Sequence, residues 1–174
     1  MAQKPLLIVG NWKMYGRLSD LAELDALAEG LAGVRESVAV AVCPPFTLMA
    51  AAALRATGRV AIGVQDVAAS SADGPHTGEV SAAMAADAGA GYAIVGHSER
   101  RADHGETDAI VAAKAGAALA AGLIPIICVG ETLAQRQAGE ARAIVAAQVS
   151  ASCPAADVVL AYEPIWAIGT GLTP

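Results

Sequence analysis

Aromatic residues are scarce in this chain of 174 residues, where they make up 3%. Face-to-face sheets lean on aromatic and β-branched side chains, so a β-sandwich is a poor expectation. Cysteine is nearly absent. Cys43, Cys128 and Cys153 are far apart, with no Cys-x-x-Cys, which argues against a disulfide framework or a zinc site and fits a reducing, cytoplasmic setting. Positive charge is also short. A formal net charge of −6 argues against a nucleic-acid partner, which needs a basic face. No apolar run approaches the roughly 20 residues of a membrane span. The stretch Met1 to Pro5 leads only into a short apolar strand, without signal-peptide anatomy. Neither membrane, metal nor cofactor is expected.

What is present is aliphatic: 55% of residues are hydrophobic, with abundant alanine, a style suited to helices packed on strands. Short runs read as strands: Leu6–Val9, Val38–Val42, Ala61–Val64, Tyr92–Val95, Ile124–Val129 and Val158–Tyr162. Each is apolar without clear alternation, as expected of parallel strands buried on both faces. Helical spacing fills the gaps. Leu21, Leu24, Leu27, Ala28 and Leu31 share a face, with Ser19 as the expected N-cap and Gly33 as the stop. Thr47–Ala56 ends before Gly58, and Thr107–Ala121 before Gly122. The pattern is βα repeated, less a final helix, with right-handed crossovers in a parallel sheet. No linker divides residues 1–174, so one domain is expected.

Open doubly wound sheets and closed barrels share this alternation. Polar residues follow strands 1, 4, 5 and 6 instead of gathering at one switch point, and no Gly-x-Gly-x-x-Gly follows strand 1. Both features favour a barrel, which presents chemistry at the C-terminal ends of its strands. Three groups stand there. Lys13, one of three lysines, lies just past strand 1, where an anion could meet it; its bland reading is a solvated lysine. His97 follows strand 4 and precedes Ser98-Glu99-Arg100-Arg101, which can open a helix whose positive dipole end disfavours imidazolium; otherwise it is a packed histidine. Glu163 ends strand 6 beneath Pro164–Gly171, a segment with the makings of a lid, so it can act as a general base once water is excluded. Its bland reading is a cap on a neighbouring helix. Glu99 and Glu131 read as structural, paired with Arg100, Arg101 or nearby backbone, and Cys128 as a small core residue.

In this order the stretches Gly10-Asn11-Trp12-Lys13-Met14, Thr77-Gly78-Glu79-Val80-Ser81, Val95-Gly96-His97-Ser98-Glu99-Arg100-Arg101, Cys128-Val129-Gly130-Glu131 and Ala161-Tyr162-Glu163-Pro164-Ile165-Trp166-Ala167-Ile168-Gly169-Thr170-Gly171 resemble the triosephosphate isomerase family. The resemblance runs the length of the chain. It implies a (β/α)8 TIM barrel and interconversion of dihydroxyacetone phosphate and D-glyceraldehyde 3-phosphate, steps of glycolysis and gluconeogenesis, without cofactor or metal. It makes Glu163 the base that moves a proton through an enediolate, His97 the neutral electrophile and Lys13 the positive charge. Asn11 would hold substrate oxygens, and the Gly169 N–H the phosphate. Thr77 would reach a neighbouring subunit's site, giving the long loop Gln65–Ser81 a role in a homodimer.

The chain departs from the family in two places. Leu172 stands where many relatives carry lysine. A complete barrel of this kind takes about 250 residues and eight strands, so residues 1–174 are expected to supply about six βα units. On that expectation the phosphate site lacks its last loops, and an isolated chain of this length turns over little substrate. The alternatives are a catalytically inactive truncated fragment and another barrel isomerase acting on a phosphorylated sugar.

Overall fold

A computed structural model describes residues 6–171 and 173; Lys4, Leu172 and Pro174 lie outside the described residues. All six expected runs are strands: β1 (Leu6–Asn11), β2 (Val38–Cys43), β3 (Val60–Val64), β4 (Tyr92–Val95), β5 (Ile124–Val129) and β6 (Val159–Tyr162). They form one sheet in the order β1-β2-β3-β4-β5-β6, every neighbouring pair parallel. Parallel neighbours need crossovers. These carry α1 (Ala22–Gly30), α2 (Phe46–Arg55), α3 (Ala82–Asp87), α4 (Ser98–His104), α5 (Asp108–Ala120), α6 (Leu133–Gln137) and α7 (Ala141–Ser152).

The first helix begins differently from expectation. Ser19 lies inside a 3-10 turn, Leu18–Leu21, and caps nothing; the Asp20 carboxylate instead accepts the Arg17 N–H at 2.7 Å. An ionised carboxylate is the stronger acceptor of the two neighbours, so the turn forms around it. Thr107 caps α5 as a β-region residue accepting the Ile110 N–H at 3.3 Å.

The sheet curls. Cys43 of β2, Ile94 of β4 and Ile126 and Cys128 of β5 form one buried apolar cluster on its concave face, with Val9, Tyr92, Val159 and Ala161 packed against it. Strands in a flat sheet are about 4.8 Å apart, which would hold β2 and β5 too far apart to share a core. On the convex face Val42, Val64, Val95 and Ile127 pack with helix residues such as Leu24 and Val111. The four inner strands are therefore covered on both faces, as their apolar runs imply. β1 and β6 differ: burial alternates along each, leaving Leu6, Ile8, Leu160 and Tyr162 exposed on the convex side. They are the outermost strands of the sheet, each with one strand neighbour, and the expectation of double-sided burial fails there.

Residues 65–81 contain neither helix nor strand. The Ala68 N–H donates to the Val80 carbonyl at 2.8 Å, drawing the ends of the loop together. Ser81 donates to Asp73 at 2.5 Å and accepts the Met84 N–H at 3.1 Å, fixing the loop to the start of α3.

Candidate active site

Parallel strands deliver their C-terminal ends to one rim. Asn11 ends β1, Lys13 lies two residues on, His97 joins β4 to α4, and Glu163 follows β6. Asn11, Lys13 and His97 line a cleft of about 340 Å³ together with Gln65, Glu99 and Phe46. Glu163 meets His97 directly. None of residues 164–171 lines this cleft, so Gly169 is not brought to it.

The central contact joins β4 to β6 across β5. His97 Nε2 lies 3.1 Å from Glu163 Oε2, while the Ser98 N–H donates to Glu163 Oε1 at 2.8 Å. The other imidazole nitrogen, Nδ1, accepts the Glu99 N–H at 3.2 Å. A ring nitrogen that accepts a hydrogen bond carries no proton, so the neutral tautomer has its proton on Nε2, aimed at Glu163. The helix start that the sequence places after His97 therefore acts through a specific amide. His97 and Glu163 side chains are mostly shielded, 11% and 16% accessible, which strengthens such dipoles.

Glu163 is positioned by backbone as well. Its N–H donates to the Val129 carbonyl at 2.8 Å. Its own carbonyl passes so close to Gly130 that a Cβ there would lie 2.0 Å from the oxygen. Only a residue without a side chain permits this approach. Gly130 is held in turn by Gln148 of α7, whose amide accepts its N–H at 2.8 Å and donates to its carbonyl at 3.1 Å. Sequence reasoning missed both residues; the glycine directly after an apolar strand was the one available signal.

Lys13 has φ of 53°, the one positive value among described non-glycine residues. Such a conformation costs about 1–3 kcal/mol and persists only where neighbours impose it. Here the Asn11 side chain accepts the Lys13 N–H at 2.8 Å, and the Gln65 amide donates to the Lys13 carbonyl at 2.9 Å. The ammonium pairs with Glu99 at 2.6 Å. Glu99 thus serves Lys13 and not the arginines that follow it, because α4 turns those arginines toward other partners. Arg101 bonds Asp108 at 2.6 Å and the Gly96 carbonyl at 2.8 Å.

Beneath α4 lies a buried ion cluster. Lys114 contacts both Asp66 oxygens at 2.7 Å and Glu106 at 2.5 Å, and Arg100 reaches Glu106 at 2.6 Å and Asp66 at 2.8 Å. Burial raises the Asp66 carboxyl above its ordinary range despite Lys114. At Glu106 burial opposes ionisation, yet Lys114 and Arg100 outweigh it and hold the carboxyl low. Lys114 lies within the helix expected over Thr107–Ala121, on the face it shares with the buried Val111, Ala115 and Ala118. Burial pushes the Cys43 thiol up to about 12, and burial followed by the Glu163 charge pushes Cys128 up as well. Both remain thiols, consistent with core roles. No group of three or more His, Cys, Asp or Glu among the described residues is placed to hold a metal ion.

Glu131, at the end of β5, is fully buried. It accepts from Tyr162 at 3.1 Å and from Trp166 Nε1 at 3.0 Å, with Arg136 3.4 Å away. Burial opposes its ionisation, but the Trp166, Tyr162 and Arg136 contacts keep the carboxyl below its usual range. Its structural role stands, though its partners are the lid and α6 instead of Arg100 or Arg101.

Residues 6–174 match the family model described as triosephosphate isomerase. The chain is 57% identical over 173 residues to the triosephosphate isomerase of Afipia carboxidovorans, covering 97% of this chain and 68% of that protein. It is 58% identical to the enzyme of Ruegeria pomeroyi, again over 97% of this chain and 68% of the relative. The crystal structure of triosephosphate isomerase from Bartonella henselae superposes with a TM-score of 0.88 at 40% identity, covering 94% of this chain and 69% of the other.

Gly130→Ala tests how tightly the backbone holds Glu163. The added methyl must push Glu163 or β5 aside, and a shift near 1 Å is expected to lower turnover about 10²-fold. Unchanged turnover in a folded variant would show that the contact relaxes without moving the carboxylate. Nitrogen NMR of labelled imidazole checks the tautomer: His97 is expected to show a protonated Nε2 and an accepting Nδ1. The opposite pattern would contradict the hydrogen bond from Glu99.

Proposed function

From the premise that this chain belongs to the triosephosphate isomerase family, with its phosphorylated triose substrate and its barrel of βα units, we propose which residues carry the isomerisation. The observation that carries the reading is the 3.1 Å approach of His97 Nε2 to Glu163 Oε2 with Nδ1 already engaged. An acceptor and a donor that face each other in the free protein become base and electrophile when a substrate enters between them.

Glu163 removes a proton from the carbon beside the carbonyl of dihydroxyacetone phosphate. The electron pair left behind forms the enediolate, whose oxygen accepts a hydrogen bond from His97 Nε2. Glu163 then returns the proton to the neighbouring carbon, while the hydroxyl proton on the first carbon's oxygen passes to the oxygen of the former carbonyl, giving D-glyceraldehyde 3-phosphate. No atom is lost or gained. Lys13, fixed by Asn11 and Gln65, supplies positive charge to the anionic substrate, and the Asn11 amide holds a substrate oxygen. Gly169 contributes its N–H to the phosphate once Pro164–Gly171 covers the cleft. Lys13 is paired with Glu99, so its charge is partly balanced before the anion arrives.

The protein works as a homodimer in the cytoplasm, within glycolysis and gluconeogenesis, and residues 1–174 belong to one barrel domain. Its partners are the triose phosphate and a second copy, with neither nucleic acid nor membrane. Two observations support the dimer. Met14 and Tyr15 are 93% and 77% exposed beside the cleft, and Phe46 on its wall is 41% exposed. Exposed apolar groups clustered around a cleft mark an interaction site. Loop 65–81 is exposed at Thr77, and a long ordered loop is usually functional or interfacial. Among the described residues no helix is long and apolar enough to cross a membrane.

Glu163→Gln is expected to lower turnover at least 10²–10⁴-fold, roughly the contribution of a positioned general base, while binding of a phosphorylated enediolate-like inhibitor persists. Glu163→Asp, which withdraws the carboxylate by about one methylene, costs about 10²-fold. Near-normal turnover in the glutamine variant would refute the assignment. Replacing residues 68–80 by a short turn is expected to give a monomer by light scattering, with impaired turnover. A shortened protein that stays dimeric and fully active would rule out the loop's role.

A further inference from the structure

We propose that Arg136 is a positioning residue that latches the lid away from the cleft through Trp166, and so sets how readily the lid closes. The proposal rests on the reading of Pro164–Gly171 as the segment that covers bound substrate. The guanidinium of Arg136 stacks over the Trp166 ring, 5.3 Å from its centroid. The same guanidinium stands 3.4 Å from Glu131 Oε1 and 3.3 Å from the Tyr162 hydroxyl. Trp166 Nε1 donates to that Glu131 oxygen at 3.0 Å. One buried carboxylate therefore joins the cation, the indole and the end of β6.

Both halves of the latch are firmly mounted. Glu131 is fully buried, and α6 is set by a capping box: Thr132 accepts the Gln135 N–H at 3.3 Å, and the Gln135 side chain accepts the Thr132 N–H at 2.9 Å. The lid lies in a short 3-10 turn, Ile165–Ala167, tied to the same place by the Ile165 N–H donating to the Glu131 carbonyl at 3.1 Å. At its far end Gly169 and Gly171 have φ of 68° and 76°, backbone that can change without a side-chain penalty.

The direction of the effect follows from position. No residue of 164–171 lines the cleft in this conformation. For the Gly169 N–H to reach a phosphate there, the segment carrying Trp166 must move, breaking the bond to Glu131 and unstacking the ring from Arg136. These contacts favour the uncovered state alone. A ligand bound preferentially by the covered state works against them, and weakening them tightens that ligand. Arg136 has 45% of its side-chain surface accessible, so its stack is expected to shift the equilibrium by about two- to five-fold, as for an exposed cation–π contact.

Arg136→Gln removes the charge and Arg136→Lys keeps it. The readouts are the dissociation constant of 2-phosphoglycolate, KM and kcat, and the ¹⁹F resonance of 5-fluorotryptophan at Trp166, assigned with Trp166→Phe. In the glutamine variant, KM and the inhibitor constant are expected to fall together by about two- to five-fold, with kcat nearly constant, so that kcat/KM rises by the same factor. The ligand-free Trp166 resonance moves toward its inhibitor-bound position. The lysine variant keeps parental values. An unmoved resonance, or unchanged or weaker inhibitor binding in the glutamine variant, overturns the latch. If that variant does not fold, Trp166→Phe removes the lid's half and must tighten the inhibitor likewise; unchanged or weaker binding there overturns the proposal equally. Near-normal turnover in Glu163→Gln would defeat the active-site reading instead. The latch is then decided by the ligand-free resonance, which must still differ between Arg136→Gln and the parent.

Discussion

The bond between the Glu163 carboxylate and the Ser98 N–H ties the end of β6 to the start of α4, with β5 between them. It forms only because the sheet curls, and the remainder of the site is arranged around it. With one Glu163 oxygen held by backbone, the other faces His97 Nε2. His97 is held from behind by the Glu99 N–H of the same helix turn. One turn of backbone thus orients both groups proposed as base and electrophile. Such preorganisation lets dipoles act without rearranging when charge develops.

That turn is itself anchored. Arg100 is held by Glu106 and Asp66, and Arg101 by Asp108. Buried charges are costly unless paired, so this cluster is poor evidence for added stability. What it does is fix where α4 can lie. Asp66 opens the long loop and Lys114 sits in α5, so the cluster also connects the loop proposed for dimer contact to the helix that carries the electrophile. Glu106 Oε2 is buried without a hydrogen-bond partner among the described residues.

The lid end of the site shows a different balance. The proposed mechanism asks Glu163 to stay fixed while the residues directly after it move. Gly130 and Gln148 fix the backbone around Glu163 itself, whereas Trp166 is held through its side chain, by Glu131 and by the partly accessible Arg136. Tight backbone packing resists displacement in small steps, while the stack on the partly accessible Arg136 is weak enough to be given up. The division between the proposed base and its proposed cover therefore falls within three residues.

By itself the sequence determined the strands, their parallel order and the polar groups that follow them. Apolar runs of Ile, Val and Ala bounded by Gly and polar residues carry that information locally, and Asn11, Lys13, His97 and Glu163 were legible because each stands directly after such a run. Partnerships over long sequence separation were not legible. Glu99 lies 86 positions from Lys13, and Glu163 lies 65 from Ser98, so nothing in either local pattern selects the pair. The same holds for Gln148 on Gly130, for Arg136 on Trp166 and for Lys114 between two carboxylates. The exposed faces of β1 and β6 also escaped prediction, because an apolar run shows what a strand can bury and not what lies against it. Tertiary structure decided these matters for one physical reason: hydrogen bonds and ion pairs act over a few ångströms in space, and only the curl of the sheet brings the strand ends within that range.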